Sequence, residues 1–162
     1  MHRVDTRCAQ TGIGFNEALP FADRSLVPSD FGFHNSLRAP DGSLVFLDFE
    51  YFGWDDPVKV TADCMLHPGI PLPAPLRRRL RAAAERLYGE DPRFARRLAA
   101  YYQLFGLRWV LILLNDFLPN RGPSGLPGAA DSWQSVKLRQ LAKACEFLAK
   151  VMREHDERGD GG

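Results

Sequence analysis

At 162 residues, 45% of them hydrophobic and 25% charged, the chain is one domain's worth and long enough to bury a core. A formal net charge of +1 supplies no global field toward polyanions, so neither nucleic acid nor an anionic membrane surface is expected as a partner. Cys8, Cys64 and Cys145 are odd in number and form no C-x-x-C pair, which argues against a disulfide framework or zinc site and suits a reducing cytoplasm.

Met1 to Val27 shows no sustained hydrophobic period, because Gly12, Gly14, Pro20 and scattered charges interrupt it. It reads as an irregular N-terminal segment with at most a helical turn at Phe15 to Leu19. It has no apolar signal core, and no apolar run anywhere approaches the ~18 residues needed to span a bilayer. A cytoplasmic protein is the expectation.

The stretch Pro28 to Asp56 carries the densest signal. Ser36-Leu37-Arg38, then Ala39-Pro40-Asp41-Gly42, then the β-rich run Leu44 to Phe49 spell a hairpin, because proline pre-sets φ and glycine accepts φ > 0. With Asp41 and Gly42 as the two central turn residues, Asn35 faces Asp48; a three-residue loop slips the register by one and pairs Asn35 with Leu47. Either register brings an amide oxygen and a carboxylate to one end of a short ribbon, with Asp30 five residues upstream of Asn35. Magnesium takes hard oxygen ligands, few of them protein carboxylates, and fills its shell with water and phosphate. A third acid beside such a site, Asp30, is placed to take a proton from a hydroxyl nucleophile.

Asp55-Asp56-Pro57 reads as an N-cap and first turn of a helix running to about Leu66, stopped by His67-Pro68-Gly69. Pro71, Pro73 and Pro75 make a stiff connector. Leu76 to Tyr88 is a helix with Gly89 at its C-cap, its buried stripe supplied by Leu76, Leu80, Ala83, Ala84 and Leu87 and its arginines solvated. A helix from Asp91-Pro92 to about Leu118 is apolar nearly all round in its second half and reads as the core helix. Arg108 inside it needs a carboxylate partner such as Glu50, or serves a substrate; Asp116 at its end reads as a surface acid. Pro119 to Asp131 is a glycine and proline loop expected to be mobile, Gln134 to His155 a last helix, and Glu157 to Gly162 a frayed tail.

Asp30-x-x-x-x-Asn35, then Leu47-Asp48-Phe49-Glu50, then Gly53-Trp54-Asp55-Asp56-Pro57 resembles the C-terminal lobe of the aminoglycoside phosphotransferase and choline kinase family. The resemblance covers Pro28 to Asp63 and implies an α+β fold in which residues 28–156 form a mostly helical, kinase-like C-terminal lobe with a catalytic β-hairpin. It implies Asp30 as catalytic base, Asn35 and Asp48 as ligands of magnesium and, through it, of ATP, and acceptor contacts from the C-terminal helices, where Asp116 lies. The expected reaction is phosphate transfer to a hydroxyl of a small molecule.

Two departures stand out. The family's His-Gly before the aspartate is Pro28-Ser29 here, and residues 1–27 hold neither a glycine-rich phosphate loop nor a strand-borne lysine. A longer parent chain or a second polypeptide is open as the source of the nucleotide-covering lobe, and a catalytically incompetent fragment or interaction module is the alternative to the enzyme. Asp30-Phe31-Gly32 also spells the magnesium tripeptide of protein kinases, with His2-Arg3-Val4-Asp5 resembling the catalytic loop that should precede it, but Gln10 and not asparagine stands five residues beyond Asp5, and no A-P-E follows. A magnesium hydrolase is the weakest alternative, since no aspartate-nucleophile motif is present.

Overall fold

The computed structural model describes residues 2–29, 31–118 and 129–159. The chain is mostly helical α+β, with five helices and two small antiparallel two-stranded sheets. It divides into two units, Met1–Phe105 and Gly106–Gly162.

In the first unit, α1 (His2–Thr11) opens the chain where the sequence suggested irregular backbone. That expectation is corrected by long-range packing: Cys8 and Ile13 are buried against Ala100, and Tyr101 donates its hydroxyl to the Gly14 carbonyl at 3.1 Å. Local periodicity could not reveal a helix held by partners some ninety residues away. In place of the helical turn expected over Phe15 to Leu19 there is a single hydrogen-bonded turn, closed by the Glu17 amide on the Gly14 carbonyl at 3.1 Å.

Strand β1 (Ser25–Val27) pairs with β4 (Gly53–Asp55), Leu26 opposite Trp54. Between them lies the hairpin of β2 (Ser36–Arg38) and β3 (Leu44–Phe46), with Leu37 opposite Val45. Its loop settles the register. The Gly42 amide donates to the Ala39 carbonyl at 2.9 Å, and the Ala39 amide donates to the Ser43 carbonyl at 2.9 Å. Pro40, Asp41 and Gly42 thus form a three-residue loop, with Gly42 at φ 87°, where a side chain would be strained. Asp41 Oδ1 braces it by accepting from the Ser43 amide and hydroxyl at 2.9 and 2.7 Å.

Helix α2 (Pro57–Leu66) begins and ends where its sequence signals place it, with Asp56 Oδ1 accepting from the Val58 amide at 2.9 Å. Val58, Ala62, Met65 and Leu66 are buried. Helix α3 (Ala74–Leu87) starts two residues before the predicted point, and Tyr88, not Gly89, follows its last turn with φ −104°. Its expected stripe is only partly covered: Ala84 is buried, Leu80 half-buried, while Leu76, Ala83 and Leu87 are exposed.

Helix α4 (Phe94–Leu113) is shorter than the Asp91 to Leu118 expected. Asp91 precedes it as a cap, its Oδ1 accepting from the Arg93 amide at 2.8 Å. Leu114 breaks the far end into a 3-10 turn at Asn115–Phe117. Its second half, within the second unit, is not apolar because it is buried all round: Val110 is buried, but Leu107, Leu111 and Ile112 are exposed.

Helix α5 (Ala129–Gly159) begins before and ends after the predicted Gln134 to His155, so Glu157–Gly159 continue the helix instead of fraying. Residues 160–162 of that expected tail, and 119–128 of the expected mobile loop, lie outside the described residues. Ala144, Phe147 and Val151 form its buried face, with Leu141 and Leu148 exposed. Within this unit α5 meets α4 closely at Gly106, where an added Cβ would stand 2.7 Å from Val151 Cγ1. Glycine is what lets the two backbones approach there. No described helix is long and apolar enough to cross a membrane.

Candidate functional site

The loop between β1 and β2, the end of β3 and the turn before β4 form one neighbourhood of the first unit. Asn35 closes a 3-10 turn, Phe33–Asn35, immediately before β2. Its carbonyl accepts from the Leu47 amide at 2.8 Å, extending the hairpin ladder by one step. Of the two registers open in the sequence, the structure therefore takes the slipped one: Asn35 opposes Leu47, and Asp48 follows one residue on.

Asp48 has φ 61°, and it is the only described non-glycine residue with positive φ. Left-handed backbone costs an L-residue about 1–2 kcal/mol, least for Asp and Asn, whose short polar side chains bond locally. Such outliers gather at functional sites, so the conformation of Asp48 is a hypothesis of function in its own right. It turns the chain out of β3 toward the Phe49–Phe52 turn, closed by the Phe52 amide on the Phe49 carbonyl at 3.0 Å. The side chain is solvent-exposed, and Asn35 is half-buried. Glu50, by its charge and a hydrogen bond, pushes the Tyr51 phenol above its ordinary value, and the Asp48 charge adds to this.

Asp30 lies outside the described residues, but both its neighbours are placed. Phe31 stacks on Phe46 of β3 with ring centroids 4.6 Å apart. The Ser29 hydroxyl donates to the Tyr51 carbonyl at 3.1 Å and accepts from Lys59 Nζ at 3.2 Å. Lys59, on the first turn of α2, also pairs with Asp55 of β4 at 3.0 Å. Ser29 was not singled out in the sequence, where Pro28-Ser29 registered only as a departure; its partners are 22 and 30 residues away and no local pattern announces them.

Arg97 and Asp91 were also missed. Arg97 is 5% exposed and holds Asp56 through Nε to Oδ2 at 3.1 Å and Nη2 to Oδ1 at 3.2 Å, and Asp91 through Nη2 at 2.6 Å. The Asp56 cap is therefore also an ion-pair partner. One available signal was an arginine set between Phe94 and Leu98, both buried. Asp63 is buried on α2, as an internal acid would be. His34 stacks on His67, centroids 4.8 Å apart, which ties the loop before β2 to the turn after α2.

Arg108 and Asp116 belong to the second unit. The Arg108 guanidinium lies 5.7 Å from the Trp109 ring centroid, and Asp116 is half-buried in the 3-10 turn.

Among the described residues, no three His, Cys, Asp or Glu side chains gather so as to hold a metal ion. The ligands expected from the sequence at the hairpin end are one carboxylate, Asp48, and one amide, Asn35. Hard oxygen donors in that small number fit magnesium when phosphate and water complete its shell. Comparison with family models, with curated proteins and with solved structures gives no match.

Proposed function

We propose that this chain is a kinase-like C-terminal lobe that transfers a phosphoryl group from ATP to the hydroxyl of a small molecule. The observation that carries the reading is the slipped hairpin register, the Leu47 amide on the Asn35 carbonyl at 2.8 Å, followed directly by Asp48 in its left-handed conformation. An amide and an acid thirteen residues apart in the chain come to one ribbon end, and backbone strain is maintained at the acid.

In this reading Asn35 and Asp48 hold magnesium. The bound ion supplies charge neutralisation at the phosphates and a fixed template for them. Asp30 takes the proton of the acceptor hydroxyl as its oxygen bonds to phosphorus and the bridging bond to the nucleoside diphosphate breaks. Ser29 and Phe31 on either side of Asp30 fix the loop, Ser29 through Tyr51 and Lys59, Phe31 through Phe46. The Ser29 bonds supply an anchor where the resembled family has His-Gly.

Titration calorimetry of magnesium-ATP against wild type and Asp48→Ala tests the metal role; equal affinity in both ends it. A coupled nucleotide-release assay with small alcohols tests the chemistry, and the expected result is turnover abolished by Asp30→Asn.

A second reading, an interaction module that keeps the fold without turnover, is favoured by the hairpin's open apolar surface, where Leu37, Leu44 and Val45 are 60%, 46% and 49% exposed. No turnover with any acceptor, with nucleotide binding unaffected by Asp48→Ala, decides for it.

A further inference from the structure

Beside the loop that carries residue 30 lies a cavity of about 260 Å³, walled almost wholly by apolar atoms. Phe31 and Phe33 of the loop, Phe46 of β3, Ile70 of the connector after α2, and Leu76 and Leu80 of α3 make most of its wall. Three consecutive residues of the loop, 31 to 33, line it, so the cavity begins one residue after Asp30 in the chain. Large apolar side chains stay open at its rim: Phe33 is 57% and Leu76 45% exposed.

We propose that this cavity takes the apolar body of the acceptor, an alcohol bearing a single ring or a short hydrocarbon chain, with its hydroxyl directed to the loop at residue 30. The assignment rests on the phosphotransfer reading above. Three features support it. The volume falls just under the roughly 300 Å³ at which pockets begin to hold drug-sized ligands, so one ring or a short chain is the fitting size. A sugar or polyamine acceptor needs convergent polar groups, whereas this wall offers little beyond the Cys64 thiol and the His67 edge. The thiol itself reports a dry environment: burial pushes it up to about 11, with the neighbouring Asp63 charge adding, and its Sγ contacts the Phe31 carbonyl at 3.7 Å. Partial exposure of the α3 stripe agrees with this, since Leu76 and Leu80 line the cavity.

The test uses the full chain and straight primary alcohols from 1-butanol to 1-octanol. Binding is followed by methyl NMR at Ile70, Leu76 and Leu80 without nucleotide. Affinity should rise about fourfold per methylene, the transfer value of one buried CH₂, with shifts confined to those methyls. Ile70→Trp and Leu76→Phe, which fill the space, should flatten the series, while Leu87→Phe on the exposed side of α3 should leave it unchanged. Affinity independent of chain length, or an equal slope in the filled variants, overturns the proposal.

Transfer from magnesium-ATP along the same alcohols separates the two claims. A rising kcat/KM that Ile70→Trp flattens supports the assignment. Transfer with no preference for longer alcohols overturns it and leaves the phosphotransferase. A steep binding series with no transfer keeps the cavity as an apolar-ligand site and removes the phosphotransferase.

Discussion

The Ser29 hydroxyl donates to the Tyr51 carbonyl at 3.1 Å, tying the residue before Asp30 to the turn that follows Asp48. Lys59 of α2 donates to the Ser29 hydroxyl oxygen at 3.2 Å, so the loop is held from two directions. Removing the hydroxyl should cost about 1 kcal/mol of stability, the net value of a partly exposed hydrogen bond. If the loop positions the base, Ser29→Ala also lowers kcat by roughly tenfold or more with little change in KM for nucleotide, and Ser29→Thr restores it. Urea unfolding and steady-state kinetics of the three proteins check this; equal kcat in Ser29→Ala and wild type would leave Ser29 a purely structural anchor.

The left-handed backbone at Asp48 gives a prediction with opposite signs for stability and function. Asp48→Gly relieves the strain and should stabilise the fold by about 1 kcal/mol, while magnesium-ATP binding is lost. Thermal melts and calorimetry on one preparation read both. A destabilised Asp48→Gly that still binds nucleotide contradicts each half.

Arg97 neutralises two acids at once, Asp56 at the start of α2 and Asp91 before α4. Arg97→Met leaves both carboxylates in a poorly solvated place, and the expected loss is about 3–5 kcal/mol. Asp56→Asn keeps the cap's acceptor oxygen and costs less. Chemical denaturation of the two variants should rank them in that order.

Glu17 and Arg93 form a two-pronged pair at 2.5 and 2.6 Å. The Arg93 hydrogen bonds and charge, with help from the Gly14 amide, lower the Glu17 carboxyl from 4.5 to about 2. A carboxyl depressed by folding contributes its stability above its unfolded value and loses it as pH falls toward the folded one. Wild type should therefore exceed Glu17→Gln by a constant margin above pH 5, and the margin should vanish between about 4.5 and 2. Both side chains are substantially exposed, so added salt should shrink the margin as well. A margin that grows on acidification would show the linkage to be wrong.

Gly106→Ala raises helix propensity by about 1 kcal/mol yet drives a methyl into Val151, whose branched side chain has little freedom to yield. A net loss of about 1–3 kcal/mol is expected from overpacking. Val151→Ala in the same chain should recover part of it, a coupling that a double-mutant cycle measures.

The hairpin, the Asp56-Pro57 helix start and the His67-Pro68-Gly69 stop were legible because each is written in adjacent residues: a proline, a cap, a glycine. Helix α2 came out at its predicted bounds for that reason. Helix α1 and strands β1 and β4 were not legible, since Cys8 packs on Ala100 and Leu26 pairs with Trp54, contacts that short windows do not contain. The same holds within the site. Asn35 and Asp48 were visible through hairpin arithmetic, though only the three-residue loop around Gly42 chose between registers. Ser29, Lys59 and Arg97 became visible only with their distant partners in place.

Because β1 and β4 run side by side, the chain leaves the segment 28–52 about one ladder spacing, roughly 5 Å, from where it entered. A segment whose two ends already meet needs little further closure entropy to be held. The strand pair thus carries the closure of this segment, while Lys59, Cys64 and His67 fix its orientation against α2 and the turn after it.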